Sequence, residues 1–370
     1  MSNVYGRLRE RLDDFASGYP TTEIGIEIKI LKGLFTKDEA ELFLKLSPVL
    51  EAPGDVAKRL DRDPAETAEL MTRMAKKGLI FRLRKDQTAR YGAVPFVPGI
   101  YDFQLGTMGR GFAQDMQDYF EEGLGCTIQG HKTPIMRPIP INRKLVVEWP
   151  IAPYEDVLKI IEEQEVIALA PCVCRTKNGL LGKSCGKPLE TCFMFGSNGK
   201  YYVDNGMARF INKEEAKKII KKNDEAGLVM QPFNSRKAGV MCSCCGDCCE
   251  MLGSLKKQSV PAAAVKSNYF ATVDAAECTG CKTCLDRCQM GAITIEDDTA
   301  AIDLDRCIGC GLCVTTCPTE AAQLVKKAEN EQYQPPESKA EVFMQLAIER
   351  NKNLFPTLCA NETGVTKLTY

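Results

Sequence analysis

Helical and strand periodicities follow one another in the first hundred residues. In FTKDEAELFLKLSP, Ala40, Leu42, Phe43 and Leu46 recur at helical spacing. Thr36 and Glu39 stand in capping-box positions, and Pro48 ends the run. GDVAKRLDR reads as a short second helix. DPAETAELMTRMAKKGLI predicts a third, with Asp63 as cap, Pro64 at the first helical position, Leu70, Met71 and Met74 on one side and Gly78 at the end. FRLRKDQTARYGAVPF then alternates about a polar turn, as two paired strands would. Further on, EVIALAPCVCR predicts a buried strand that delivers Cys172 and Cys174 into a loop. NKEEAKKIIKKNDEAGLV predicts a helix capped by Asn212 and Glu215 and closed near Gly227. Residues 100–165 read as a helical connector, and EVFMQLAIERNKN as one docking helix near the end.

Three helices and a wing over about residues 35–98 resemble the winged helix-turn-helix superfamily. The helix that would read DNA opens Pro64-Ala65-Glu66-Thr67-Ala68-Glu69, with acids where base-contacting Arg, Asn or Gln are expected. Arg73, Lys76, Lys77, Arg82, Arg84, Lys85 and Arg90 follow and could meet phosphates, but such a run normally forms a solvated face. Nucleic acid is therefore not the expected partner, and the module reads better as a protein-docking element.

Composition narrows the chemistry. The 370 residues allow two or three domains, and 48 basic against 49 acidic side chains leave no global field for nucleic acid or an anionic membrane. The single histidine, His131, lies among loop residues and rules out His-rich zinc or Rieske sites. MSNVYGRLRERLDDF lacks an apolar core for a signal peptide, and no window is long and apolar enough to span a bilayer. The chain is accordingly expected in a reducing cytoplasm, where 19 cysteines are metal ligands before they are disulfides. Cys126 and Cys359 stand apart, while the other seventeen lie between Cys172 and Cys317.

The strongest signal is an internal repeat. VDAAECTGCKTCLDRCQMGAITI from Val273 aligns with IDLDRCIGCGLCVTTCPTEAAQL from Ile302, each carrying C-x₂-C-x₂-C-x₃-C. This resembles the bacterial two-cluster ferredoxins. In that family the fourth cysteine of each run ligates the other cluster. The resemblance therefore implies one [4Fe-4S] cluster on Cys278, Cys281, Cys284 and Cys317, and a second on Cys307, Cys310, Cys313 and Cys288. Gly280, Gly309 and Gly311 allow the close backbone approach such loops need. Pro318 matches the family's C-P step; Gln289 departs from it. Fully cysteine-ligated cubanes leave no open coordination position, so the expectation is one-electron transfer rather than substrate chemistry.

Nine more cysteines form a second metal candidate: Cys172, Cys174, Cys185 and Cys192, then Cys242, Cys244, Cys245, Cys248 and Cys249. Buried thiolates need a compensating cation, so one or two additional iron–sulfur clusters are expected, with zinc or thiol redox chemistry as alternatives. Arg175, Lys183 and Lys187 are the nearby cations. Read as a helix, 242–249 would place Cys244 with Cys248 on one face and Cys242, Cys245 and Cys249 on another. Residues 165–325 also resemble ferredoxin-like iron–sulfur proteins of anaerobic bacteria. The shared features are Pro171-Cys172-x-Cys174-Arg175, then Lys187, Pro188, Glu190 and Cys192, and Cys242-x-Cys244-Cys245.

The resulting expectation is an α+β multidomain chain. It has a winged-helix-like domain over 1–100, a connector over 101–165, a Cys-rich α/β domain over 166–260, a 2[4Fe-4S] ferredoxin-like domain over 271–326, and a helix and tail over 327–370. Its function would be electron transfer to or from a partner oxidoreductase. Two other readings are open at this point: a reductase whose substrate sits at the middle-domain metal, and a redox-sensing regulator. No G-x-G-x-x-G or P-loop motif supports a nucleotide site.

Overall fold

The computed structural model describes residues 4–85, 88–141 and 152–352. They fall into two compact units. One takes in the described residues of Met1–Thr133, Tyr201–Met207 and Ala340–Tyr370; the other comprises those of Pro134–Lys200 and Ala208–Lys339.

In the first unit the helices Val4–Asp13, Ile26–Leu34, Lys37–Phe43, Pro53–Leu60 and Pro64–Lys76 precede a hairpin of β1 (Phe81–Lys85) and β2 (Thr88–Gly92). The caps lie where the pattern places them. The Thr36 side chain accepts from the Glu39 N–H while Glu39 reaches back to the Thr36 N–H, and Asp63 caps the N–H of Glu66. Buried Leu8, Leu12, Phe15, Phe43, Met71, Met74 and Tyr119 make the core. The basic run is largely spent internally. Arg82 and Arg84 both pair with Asp204, and Lys77 and Arg73 with the buried Glu39. The C-terminal helix Lys339–Glu349 leads into Arg350, which ion-pairs with Asp13 at 2.6 Å.

The second unit is built on a five-stranded antiparallel sheet, in the order β5-β3-β4-β7-β6. Its strands are β3 (Ile167–Pro171), β4 (Glu190–Phe195), β5 (Arg209–Ile211), β6 (Val229–Pro232) and β7 (Val240–Cys244). Period-two alternation assigns its two faces. Ile167, Leu169, Phe193, Met230 and Met241 pack with Ile160 and Ile161 of the helix Val157–Glu162 and with Ala216 and Ile220 of the helix Lys213–Glu225. The alternate positions Cys192, Cys242 and Cys244 take the other face. Two short antiparallel pairs follow: β8 (Tyr269–Val273) with β11 (Ala322–Lys326), and β9 (Ile293–Glu296) with β10 (Thr299–Ile302).

Two local expectations need correction. Residues 242–249 are not a helix. β6 and β4 flank 240–244 and impose strand geometry through the pairs Gln231 to Cys242 and Phe193 to Met241, and the chain turns before the helix Glu250–Lys256. Cys172 and Cys174 do not lie in a loop. Cys172 is the N-cap residue, and Cys174 the second residue, of the helix Val173–Leu180, which starts directly after β3. Cys359 lies outside the described residues, and Cys126 is exposed.

Candidate metal centres

The repeat forms two related recesses. Cys278, Cys281, Cys284 and Cys317 line one; Cys288, Cys307, Cys310 and Cys313 line the other. Each set thus draws three cysteines from one half of the repeat and one from the other. The short helices Thr283–Arg287 and Leu312–Thr315 start at the equivalent positions Lys282 and Gly311, both at positive φ. Backbone N–H groups point at the sulfurs, from equivalent places for Ala271 and Ala300 and from places one residue apart for Ala292 and Ala322. Ala300 donates to Cys278 Sγ and Ala271 to Cys307 Sγ, each at 3.4 Å; Ala292 donates to Cys288 Sγ at 3.2 Å and Ala322 to Cys317 Sγ at 3.4 Å. Gly309 (φ +65°) and Gly280 (φ +62°) let separate strands pass. A Cβ at Gly309 would stand 2.1 Å from the Tyr269 carbonyl oxygen, and one at Gly280 2.5 Å from that of Asp298.

The two recesses differ in environment. Cys281 is exposed, and hydrogen bonds centred on Thr283 hold its thiol below the ordinary value. Burial raises Cys310, and burial together with the neighbouring Cys307 pushes Cys313 up to about 12. Four sulfurs around an open volume, met by N–H donors, are the donor set of a thiolate-capped cluster. In neither recess do three sulfurs come within 4.8 Å of one another among the described residues, so a polynuclear group fits better than a single ion.

Residues 277–321 match a family model described as a 4Fe-4S dicluster domain. No curated protein and no solved structure matches the chain. The dicluster domain accounts for eight of the nineteen cysteines and for both recesses, the outer one with exposed Cys281 and the inner one with Cys310 and Cys313, and leaves the middle nine to be placed by geometry.

The fold separates those nine. Six form a string of neighbouring thiols, running Cys172, Cys174, Cys249, Cys244, Cys242 and Cys192; the last two sulfurs are 3.8 Å apart. Cys185, Cys245 and Cys248 form the other group, with Cys185 and Cys245 sulfurs 3.9 Å apart. Arg175 lies between the groups, 5% exposed. It donates to Cys245 Sγ at 3.8 Å, to the Ser243 carbonyl at 3.1 Å and to Thr191 Oγ1. Burial opposes its charge, but the sulfurs of Cys172, Cys245 and Cys244 outweigh that and hold the guanidinium above its ordinary value. Burial likewise opposes the Cys245 thiolate, yet the Cys248 N–H and Arg175 pull that thiol down. Lys187 instead donates to the Ala226 carbonyl.

Sequence reasoning missed the links between the Cys-rich stretch and the dicluster domain. Gln289, which stands in place of the family's proline, accepts from the Gly246 N–H at 2.7 Å and donates to the Gly227 carbonyl at 2.8 Å. Arg306 donates to the carbonyls of Met290, Gln258 and Lys256, and Arg287 pairs with Asp224. The only advance signal was the absence of proline after Cys288. His131 lies in the first unit, half-buried near Arg350 and Glu349, and burial lowers its pKa.

Proposed function

We propose that this chain is an iron–sulfur electron-transfer protein or subunit, exchanging single electrons with a partner oxidoreductase in a reducing cytoplasm. Cys278, Cys281, Cys284 and Cys317 would hold one [4Fe-4S] cluster, and Cys307, Cys310, Cys313 and Cys288 the other. A further cluster would take its ligands from Cys172, Cys174, Cys192, Cys242, Cys244 and Cys249. When bound, such clusters supply reversible one-electron storage at potentials set by hydrogen bonds and solvation.

One observation carries this reading. Cys244, Cys249, Met290, Ala292, Ile308 and Leu312 belong to a single apolar cluster, against which Cys242, Cys288, Cys307 and Cys310 also pack. The inner recess and the six-thiol string are therefore separated by packed side chains rather than by water, while the outer recess presents exposed Cys281. The chain's own residues set an order from the surface inward: Cys281 at the outer recess, the inner recess, then the string ending on the β4–β7 face. The N–H groups of Ala271, Ala292, Ala300 and Ala322 stabilise negative charge on the sulfurs they meet. Residues 1–100, read as a winged-helix-like module, would serve as the docking element for the partner.

Reductive titration of the anaerobically purified full chain, followed by electron paramagnetic resonance, tests the proposal. The expected outcome is two reducible centres in the dicluster domain, with one signal lost in Cys281→Ser and the other in Cys310→Ser. A folded chain that takes up no electrons would refute it.

A further inference from the structure

The nine middle thiols differ in spacing as well as in place. Among the described residues, Cys185, Cys245 and Cys248 alone have three ligating atoms all within 4.8 Å of one another. We propose that these three cysteines hold a single thiophilic divalent ion, Zn²⁺, through three thiolates, with the fourth position taken by a donor from solution. The proposal rests on the reading of this region as metal-binding, but it removes these sulfurs from any iron–sulfur cluster.

Spacing is the first argument. With metal–sulfur bonds of about 2.3 Å, two corners of a tetrahedral thiolate site lie about 3.8 Å apart. Cys185 and Cys245 sulfurs are 3.9 Å apart. A single close pair does not decide it, since Cys192 and Cys242 in the string are 3.8 Å apart; among the described residues it is the closure of a third sulfur on both others, at Cys248, that sets this group apart.

Charge is the second. A divalent ion with three thiolates carries a net −1, which is costly to bury unless paired. Arg175 supplies the opposite charge at 3.8 Å from Cys245 Sγ, fixed by Ser243 and Thr191. The Cys248 N–H, 3.4 Å from Cys245 Sγ, adds a donor to the same sulfur. Leu228 packs on Cys245 and Cys248 and screens that side from water.

Access is the third. Among the described residues no fourth cysteine, histidine or carboxylate joins the group. Three protein ligands with the fourth position left to an outside molecule is the pattern of reactive rather than structural zinc sites. Cys185 is half-buried on a loop whose neighbours Gly182, Lys183, Ser184 and Gly186 are exposed, so a small donor can reach it.

The test is metal analysis of the full chain purified without oxygen, beside Cys185→Ser and the double variant Cys245→Ser/Cys248→Ser. The expected result is one zinc per chain, reduced to background in both variants with iron unchanged. Loss of iron instead would assign these cysteines to a cluster and overturn the proposal, as would zinc that survives both variants. Should the double variant not fold, Co²⁺ exchange of the unaltered chain decides. Thiolate-to-cobalt absorption that shifts on adding 2-mercaptoethanol supports the site and its outside ligand; cobalt absorption indifferent to the thiol refutes the outside ligand, and none at all refutes the site. Cys307→Ser serves as control: it should lower iron and leave zinc intact. Zinc present in a chain without iron would leave this centre standing and refute the electron-transfer reading alone.

Discussion

Gly309 combines a left-handed backbone with a contact no side chain can tolerate. Gly182 shares the positive φ (+76°), but nothing stands within 4 Å of a Cβ there. Gly182→Ala should therefore cost only the left-handed penalty, about 1–2 kcal/mol. Gly309→Ala, 2.1 Å from the Tyr269 carbonyl oxygen, should cost several times more and reduce cluster loading. Thermal unfolding of the two variants side by side checks the difference. The crossed ligand sets make a second prediction at this scale. Cys288→Ser should disturb the same paramagnetic signal as Cys310→Ser and leave that of Cys284→Ser's cluster alone; the reverse grouping would refute the crossing. The spacing of the eight cysteines and the need for glycine at 280 and 309 were legible in the sequence, because both are properties of a short loop. The atoms that crowd those glycines were not, since Tyr269 and Asp298 reach them only through strand pairing. Gln289 shows the same limit: its departure from proline was visible, but its partners Gly227 and Gly246 required the fold.

Helix ends were the most legible elements, because a cap depends on residues three apart. Thr36 with Glu39, Asp63 with Glu66 and Asn212 with Glu215 all cap as the pattern implies. β7 was not legible because MCSCCGDCCE has no apolar period of its own; its conformation comes from β4 and β6. Glu39 yields a pH prediction. Burial would raise its carboxyl, but Lys77, the Thr36 N–H and the Thr36 hydroxyl outweigh this and hold it below the ordinary glutamate value. Ionised Glu39 thus stabilises the first unit above the ordinary value of about 4.3, and that contribution is lost as pH falls through its lower folded value. Denaturant unfolding followed from neutral to acid pH should show a decline that Glu39→Gln flattens. Gln289→Ala, which leaves the Gly246 N–H without its partner, should destabilise that turn by about 1–3 kcal/mol. Hydrogen exchange should quicken at 246–249 while dicluster iron is retained.

At the scale of the molecule, sulfur is arranged by environment. An outer recess reaches the surface at Cys281, an inner one packs into the apolar cluster of Met290 and Ile308, and the six-thiol string begins in that same cluster with Cys244 and Cys249. No helix among the described residues is long and apolar enough to cross a membrane. The sequence made the seventeen clustered cysteines and their division at the repeat plain. It could not divide the middle nine, because strand alternation on β7 and the turn after it, rather than spacing along the chain, separate Cys244 from Cys245. The central claim is that these cysteines hold iron and sulfide, and counting both per chain after oxygen-free isolation tests it most directly. The expected outcome is about eight irons from the dicluster domain and about four more from the six-thiol string, with matching acid-labile sulfide. A colourless, iron-free chain that is nonetheless fully folded would contradict the account.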